Sequence, residues 1–343
     1  MTTMAAIKPA EEVKLLNDML DPQAKPGALV NGYRPFEQIW SDPIMQYMYA
    51  HFFTPNAKVH DRFGVEVLFP AGSPGPMPHV TADNKVCPDV TKWREYVHFP
   101  DIETICADGW DQAIADCEKA HEAGKLTLGF MPYGTFEQSH FLTGFTDMLV
   151  NLMIEPEATK ELISAVAEFR FTYMKMLVDH LHPDWILSHD DWGSKDQLFM
   201  QPEIWRDMLK EPYEKMYAYA HDNGVKIMHH ADSHCEEIVD DMVDMHIDIW
   251  QGVLPTNDIV GMQKRLQGKM ILMGGIDSGI DSADQTEAKI RAEVRKVCET
   301  YGPGGHFIPS MSYGSAAPSI FPLTDPTLAD EIDRYNVEHG FLN

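Results

Sequence analysis

From about residue 63 onward, short apolar runs alternate with longer stretches whose apolar positions recur every three or four residues. The short runs are 63–69 (FGVEVLF), 126–132 (LTLGFMP), 184–190 (DWILSHD), 225–230 (VKIMHH), 247–252 (IDIWQG), 270–276 (MILMGGI) and 306–310 (HFIPS). Runs of this length, flanked by polar and turn-forming residues, suit strands of a parallel sheet covered on both faces. The intervening stretches read as helices. One opens at Glu155-Pro156-Glu157, with Pro and acids in the first turn, and carries Leu162, Val166, Phe169, Tyr173, Met176 and Leu177 on one stripe. Another is expected to start at the capping box Ser282-Ala-Asp-Gln285 and to stop before Gly302-Pro303-Gly304. This alternation implies a parallel sheet. The seven runs, with one more to be found, favour a closed (β/α)8 TIM barrel over about 63–335. Residues 1–62 would form an N-terminal helical extension, and 1–343 a single barrel domain. An open doubly wound sheet is the alternative, but no strand is followed by GxGxxG or GxxxxGK[ST]. The Pro- and Gly-rich stretch 70–90 reads as a long loop, a lid or pocket wall.

Charge and cysteine usage narrow the partners. Lys+Arg number 27 against 53 Asp+Glu, a formal net charge of −26, so neither a nucleic acid nor an anionic membrane is an expected partner. The cysteines are Cys87, Cys106, Cys117, Cys235 and Cys298, with no CxxC pair, so a reducing, cytoplasmic setting is expected. No apolar run approaches a membrane span or a signal-peptide core.

In a barrel the chemistry hangs from the carboxyl ends of the strands. The densest such end is His229-His230-Ala-Asp232-Ser233-His234-Cys235. Ser233 and Glu236 read as a capping box, which would place Cys235 in a first helical turn where a thiolate is favoured. Imidazole, carboxylate and thiolate together suit zinc, giving His230, Asp232, His234 and Cys235 as candidate metal ligands. The alternative is that Asp232 and Ser233 only cap while Cys235 and one histidine pack in the core. His189-Asp190-Asp191 closes another strand. Adjacent acids on one strand cannot both point inward, so one faces the pocket and the other caps or pairs. His189, Asp190 and Asp277 are the candidate catalytic groups. Tyr133, Phe136, Trp192, Trp250, Gln251, Met311 and Tyr313 are the candidates to line a substrate pocket.

Five stretches carry a resemblance. They are His-Asp-Asp-Trp-Gly at 189–193, Gln-Pro-Glu-x-Trp at 201–205, Gly224 with the strand into His230, Gly274-Gly275-Ile276-Asp277, and Gly304-Gly305-x-Phe-Ile308. In this order they resemble the uroporphyrinogen decarboxylase superfamily, and more closely its corrinoid-dependent methyltransferase branch. The decarboxylases' Arg-rich stretch for gripping carboxylates is absent, and none of the nine arginines falls on a strand end. The thiol-methylating members hold zinc with His-x-Cys and a later Cys. Here the histidine is His230, Asp232 stands at the first Cys position, and no Cys occurs near 311–313.

With nitrogen and oxygen ligands the zinc would be a stronger Lewis acid, suited to an ether oxygen. The resemblance therefore implies an O-demethylase. It would move a methyl group from a methoxyaromatic of guaiacol or veratrol type to the Co(I) of a separate corrinoid (cobalamin) protein. Other superfamily activities, a thiol methylase or a decarboxylase-like lyase, and a non-catalytic binding protein are the alternatives. A homodimer is an open expectation.

Overall fold

The structure is a computed structural model that describes residues 8–54, 56–70, 75–316 and 318–342. Its frame is a seven-stranded, all-parallel sheet in chain order. The strands are β1 (Phe36–Ile39), β5 (Leu126–Met131), β6 (Trp185–His189), β7 (Lys226–His230), β8 (Ile249–Val253), β9 (Ile271–Ile276) and β10 (Phe307–Met311). A second, antiparallel sheet joins β2 (Lys58–His60), β3 (Glu66–Leu68) and β4 (Met77–Pro78).

Six of the seven apolar runs thus become strands of the parallel sheet. The run 63–69 does not: its Glu66–Leu68 pairs in the small sheet. The first place in the barrel wall is taken by Phe36–Ile39, so the barrel begins inside the expected N-terminal extension. Within 70–90, Ala71–Pro74 lie outside the described residues, and Met77–Pro78 form β4.

Helices pack against the strands of the sheet. The longest, Pro156–Leu181, buries Leu162, Val166, Tyr173, Met176 and Leu177, most of the stripe read from the sequence. The later helix starts at Thr286 rather than Ser282: Thr286 accepts from the Lys289 amide, while Ser282 Oγ bonds Gly279 O within the preceding turn. Among the described residues the parallel sheet contains seven strands, and no ladder joins β1 to β10. The seam closes through other contacts. Tyr33 Oη donates to Tyr313 O at 3.4 Å, Ala316 N to Gln38 Oε1 at 2.7 Å, and Asn336 pairs with the backbone of Leu29.

The strand interiors are buried throughout β8, β9 and β10, and the polar residues cluster at the carboxyl ends. All five cysteines are free and buried. No helix among the described residues is long and apolar enough to cross a membrane.

Candidate metal centre

Sheet register creates the site. In a parallel ladder, residues in register point the same way. His189 is in register with His230, and His230 with Gln251. A row of three side chains therefore crosses β6, β7 and β8 on the barrel's inner face. The two imidazole centroids lie 4.3 Å apart. His230 Nδ1 lies 2.5 Å from Gln251 Oε1, and His189 Nδ1 2.7 Å from Glu137 Oε2. An amide oxygen and a carboxylate can only accept, so each Nδ1 carries the proton and each Nε2 is turned elsewhere. Two residues past His189, alternation brings Asp191 onto the same face. Its Oδ1 accepts from Asp232 N at 2.9 Å and lies 3.8 Å from His230 Nε2. One donor atom each from His189, Asp191 and His230 falls within 4.8 Å of the others.

Two glycines make room. Gly252 sits in a bulge of β8 at φ +93°, a conformation that favours glycine, and a Cβ there would come within 3.0 Å of the His230 ring. Gly314 packs over both histidines: a Cβ would meet His189 Cδ2 at 2.8 Å and His230 Nε2 at 2.8 Å.

These residues fit a divalent metal. Histidine ligands typically have the other ring nitrogen held by a carboxylate or carbonyl, which fixes tautomer and orientation, and both histidines here have such a partner. The charge balance points the same way. Glu137, Asp191 and Asp232 face the cavity with no Lys or Arg among the described lining residues. Burial would raise Glu137, but the His189 charge and hydrogen bond hold it well down. His189 responds in kind: burial would lower it, and Glu137 outweighs that and lifts it to about 9. Burial and the neighbouring His189 push His230 down to about 3, so it is neutral. Asp191 is driven up by burial and by Glu137. Burial is the largest cause at all four groups, and the Glu137 charge adds to it at Asp191 and opposes it at His189 and His230.

Above this floor opens a cavity of about 580 Å³. Ten aromatic side chains line it: Trp40, Tyr49, Phe52, Phe53, Phe130, Tyr133, Phe141, Phe145, Phe199 and Tyr313. Gly75–Pro78 closes one side, so part of the 70–90 stretch is pocket wall.

The sequence-derived candidates distribute as follows. His189, His230, Asp232, Tyr133 and Tyr313 reach the cavity, and Gln251 supports His230 from behind. Asp190 does not. It is fully buried and accepts from Phe136 N, Glu137 N, Trp192 Nε1 and Tyr213 Oη at 2.6–2.9 Å. The helix Thr135–Thr143 has Gly134 at its N-cap, which offers no side chain, and Asp190 supplies that cap from β6. Trp192 stacks on His229 at 4.1 Å behind the wall. Trp250 is buried and donates to Ala231 O, Phe136 is buried in the core, and Met311 lies at the β1–β10 seam.

Asp277 is exposed and caps the turn 278–280 through Gly279 N. Cys235 is fully buried, and burial raises its thiol well above the ordinary value, the reverse of a thiolate. Its expected helical turn is not capped by Ser233, which instead donates to Gly193 O at 2.8 Å. His234 lies 3.7–3.8 Å from Glu236 and Glu237, outside the metal group. Glu137 and Asp191 were absent from the candidates. Asp191 carried the signal of alternation from His189; Glu137, at a helix start, carried none.

A family model described as Uroporphyrinogen decarboxylase (URO-D) matches residues 61–328. No curated protein matches the chain. Among solved structures, a methyltransferase from Methanosarcina mazei superposes with a TM-score of 0.63 at 15% identity, covering 94% of this chain and 98% of that one. The catalytic domain of a Bacillus endo-beta-1,4-mannanase covers 96% of this chain and 90% of its own, with a TM-score of only 0.40 and 10% identity. At such identities the likeness shows fold alone.

Proposed function

This chain belongs to the uroporphyrinogen decarboxylase family, and from that premise we propose that it is a metal-dependent methyltransferase that demethylates aryl methyl ethers. The acceptor is the Co(I) of a separate corrinoid protein, and the setting is the cytoplasm. The observation that carries the reading is the His189–Asp191–His230 group beneath an aromatic cavity without Lys or Arg. A porphyrinogen polycarboxylate would need cationic donors there, which weighs against a decarboxylase. The superposable Methanosarcina mazei protein, named a methyltransferase, agrees with the family's methyl-transfer side.

His189, Asp191 and His230 would hold zinc. When bound, zinc supplies Lewis acidity toward the ether oxygen, favouring departure of the phenolate. The chain's own residues do the rest. Glu137 and Gln251 hold the imidazoles so that both Nε2 atoms point at one place. Tyr133, held edge-on by Tyr49 and Phe141 at 5.6 and 5.2 Å, presents a rigid wall to the donor ring and excludes water. The methyl carbon would leave oxygen for the Co(I) electron pair, the C–O pair would stay on oxygen, and Asp232, which lines the same cavity, would protonate it.

The test is spectroscopic. Zinc-loaded protein, a Co(I) corrinoid protein and guaiacol should yield methyl-Co(III) absorbance and catechol in equal amounts. Full activity of a His230→Ala variant that holds no zinc would defeat the reading.

A further inference from the structure

The chain after β10 passes over the metal group. Tyr313, Gly314, Ser315, Pro318 and Ile320 all line the cavity. Gly314 is seated so closely that a Cβ on it would meet His230 Cδ2 at 2.7 Å and His189 Cδ2 at 2.8 Å. The described residues between Met311 and Thr324 form no helix or strand, so no regular ladder keeps this segment down. Side chains from elsewhere do. Gln38 Oε1 accepts from Ala316 N at 2.7 Å, and Asp325 Oδ2 accepts from Ser319 N at 2.9 Å.

The fullest set of bonds comes from Asp281, just past the turn Ser278–Ile280 that follows β9. Its carboxylate is buried and grips both ends of the segment. Oδ2 accepts from Tyr313 Oη at 3.0 Å and from Ile320 N at 2.7 Å. Oδ1 accepts from Phe321 N at 3.0 Å and from Thr324 Oγ1 at 2.9 Å. All of these bonds go to the covering segment and none to the turn that carries Asp281.

We propose that Asp281 is a positioning residue of the metal centre, which keeps Gly314 seated on both imidazoles by tying Tyr313 to Ile320, Phe321 and Thr324. It acts through the segment and not on the ion. This rests on the reading of His189, Asp191 and His230 as the residues that hold the metal. An ion held there is covered by the seated segment and escapes faster when the segment lifts. Each hydrogen bond to a charged acceptor is worth about a factor of ten in an equilibrium, so loss of the carboxylate lets the segment lift far more often.

Two measurements on the full chain test this. The first is the rate at which zinc-loaded protein gives up its metal to an excess of a chelating dye. Asp281→Ala should release zinc at least about tenfold faster than wild type, with the same zinc content after gel filtration. Asp281→Asn keeps the side chain's shape and one acceptor oxygen, and should release zinc a few fold faster. It also serves if the alanine variant fails to fold. Asp284→Ala, which loses only a surface bond from Ser282 Oγ, should release zinc at the wild-type rate. The second is hydrogen exchange of the metal-free protein, read by mass spectrometry. Peptides covering 312–324 should exchange faster in the Asp281 variants, while peptides from β6 and β7 should not change.

Faster exchange over 312–324 with an unchanged zinc release rate would overturn the proposal, because the segment would then not cover the ion. Unchanged exchange would overturn it too, because Asp281 would then not hold the segment. Wild-type protein that takes up no zinc would remove the metal reading, and this inference with it.

Discussion

The ends of β6 and β7 carry similar runs of titratable residues and use them differently. At β6, His189 and Asp191 face the cavity while Asp190 between them is enclosed and caps the helix that follows the preceding strand, β5. At β7, His230 and Asp232 face the cavity, whereas His229 is packed under Trp192, and His234 and Cys235 have left the site. Both ends obey the period of two that a strand imposes. The difference lies in what comes next. The β6 end continues its alternation into Asp191, so it contributes two ligand candidates. Asp232 of β7 also faces the cavity but lies outside the group whose ligand atoms fall within 4.8 Å of one another, so the richer β7 run contributes one. A dense cluster in sequence is therefore worth less than a sparse one whose alternate members come within reach of one another.

The comparison breaks most sharply if the inward residues prove dispensable. His189→Ala and His230→Ala should each lose bound zinc completely, measured by elemental analysis after gel filtration, with thermal melts close to wild type. Cys235→Ala and His234→Ala should keep the metal. Zinc retained by the first pair and lost from the second would reverse the assignment.

Next in size is the inward–outward contrast within β6. Asp190→Ala strands two backbone amides, an indole N–H and a phenol in a buried place, at about 1–3 kcal/mol for each unsatisfied group. A net loss on the order of 4 kcal/mol is expected, read in urea unfolding. Asp191→Ala, half-buried and facing the cavity, should leave stability within about 1 kcal/mol and weaken zinc. Equal stability losses in the two variants would dissolve the distinction.

A smaller effect sharpens the role of the neighbouring strand. Gln251→Leu removes the acceptor that fixes His230 Nδ1. Loss of such a support weakens metal binding about 10–100-fold, so a chelator competition should show a shift in that range. No shift would mean that His230 is oriented by packing alone.

Much of this frame was legible in the sequence. The apolar runs marked six strands of the parallel sheet because strands covered on both faces have little choice of residue. β1 escaped because Phe36–Ile39 is four residues long and reads Phe-Glu-Gln-Ile, apolar only at its two ends, with Glu37 exposed. The run 63–69 is equally apolar, but composition alone does not say which sheet a strand joins. At the site, His189 and His230 were named from strand-end position. Choosing between Asp190 and Asp191 needed the facing, which depends on which residue of the strand points inward. The aromatic wall was hidden for another reason: Trp40, Tyr49, Phe52 and Phe53 come from the N-terminal segment and Phe199 from the loop after β6, far from the strand ends that were searched. Trp192 and Trp250 were near those ends, yet their N–H groups found partners in the core.

The last prediction turns on the protons of the two strand ends. At β6, burial acts to lower His189, but the Glu137 charge and hydrogen bond prevail and raise it to about 9. At β7, burial and the His189 charge hold His230 at about 3. At pH 7 the β6 histidine therefore carries a proton on Nε2, where a metal would bind, and the β7 histidine does not. Zinc uptake must release that proton from β6 and none from β7. Asp191, itself raised by burial and by Glu137, can only add to the release. The sign follows. Apparent zinc affinity should rise at least about tenfold per pH unit while His189 is charged, and lose the His189 contribution above about pH 9. Calorimetry in two buffers of different ionisation heat counts the protons directly. Glu137→Gln removes the charge that raises His189, so the slope should shrink near neutral pH. Wild-type affinity that is flat between pH 6 and 9 would show that the two histidines enter the site in the same protonation state, and the contrast between the strand ends would lose its electrostatic half.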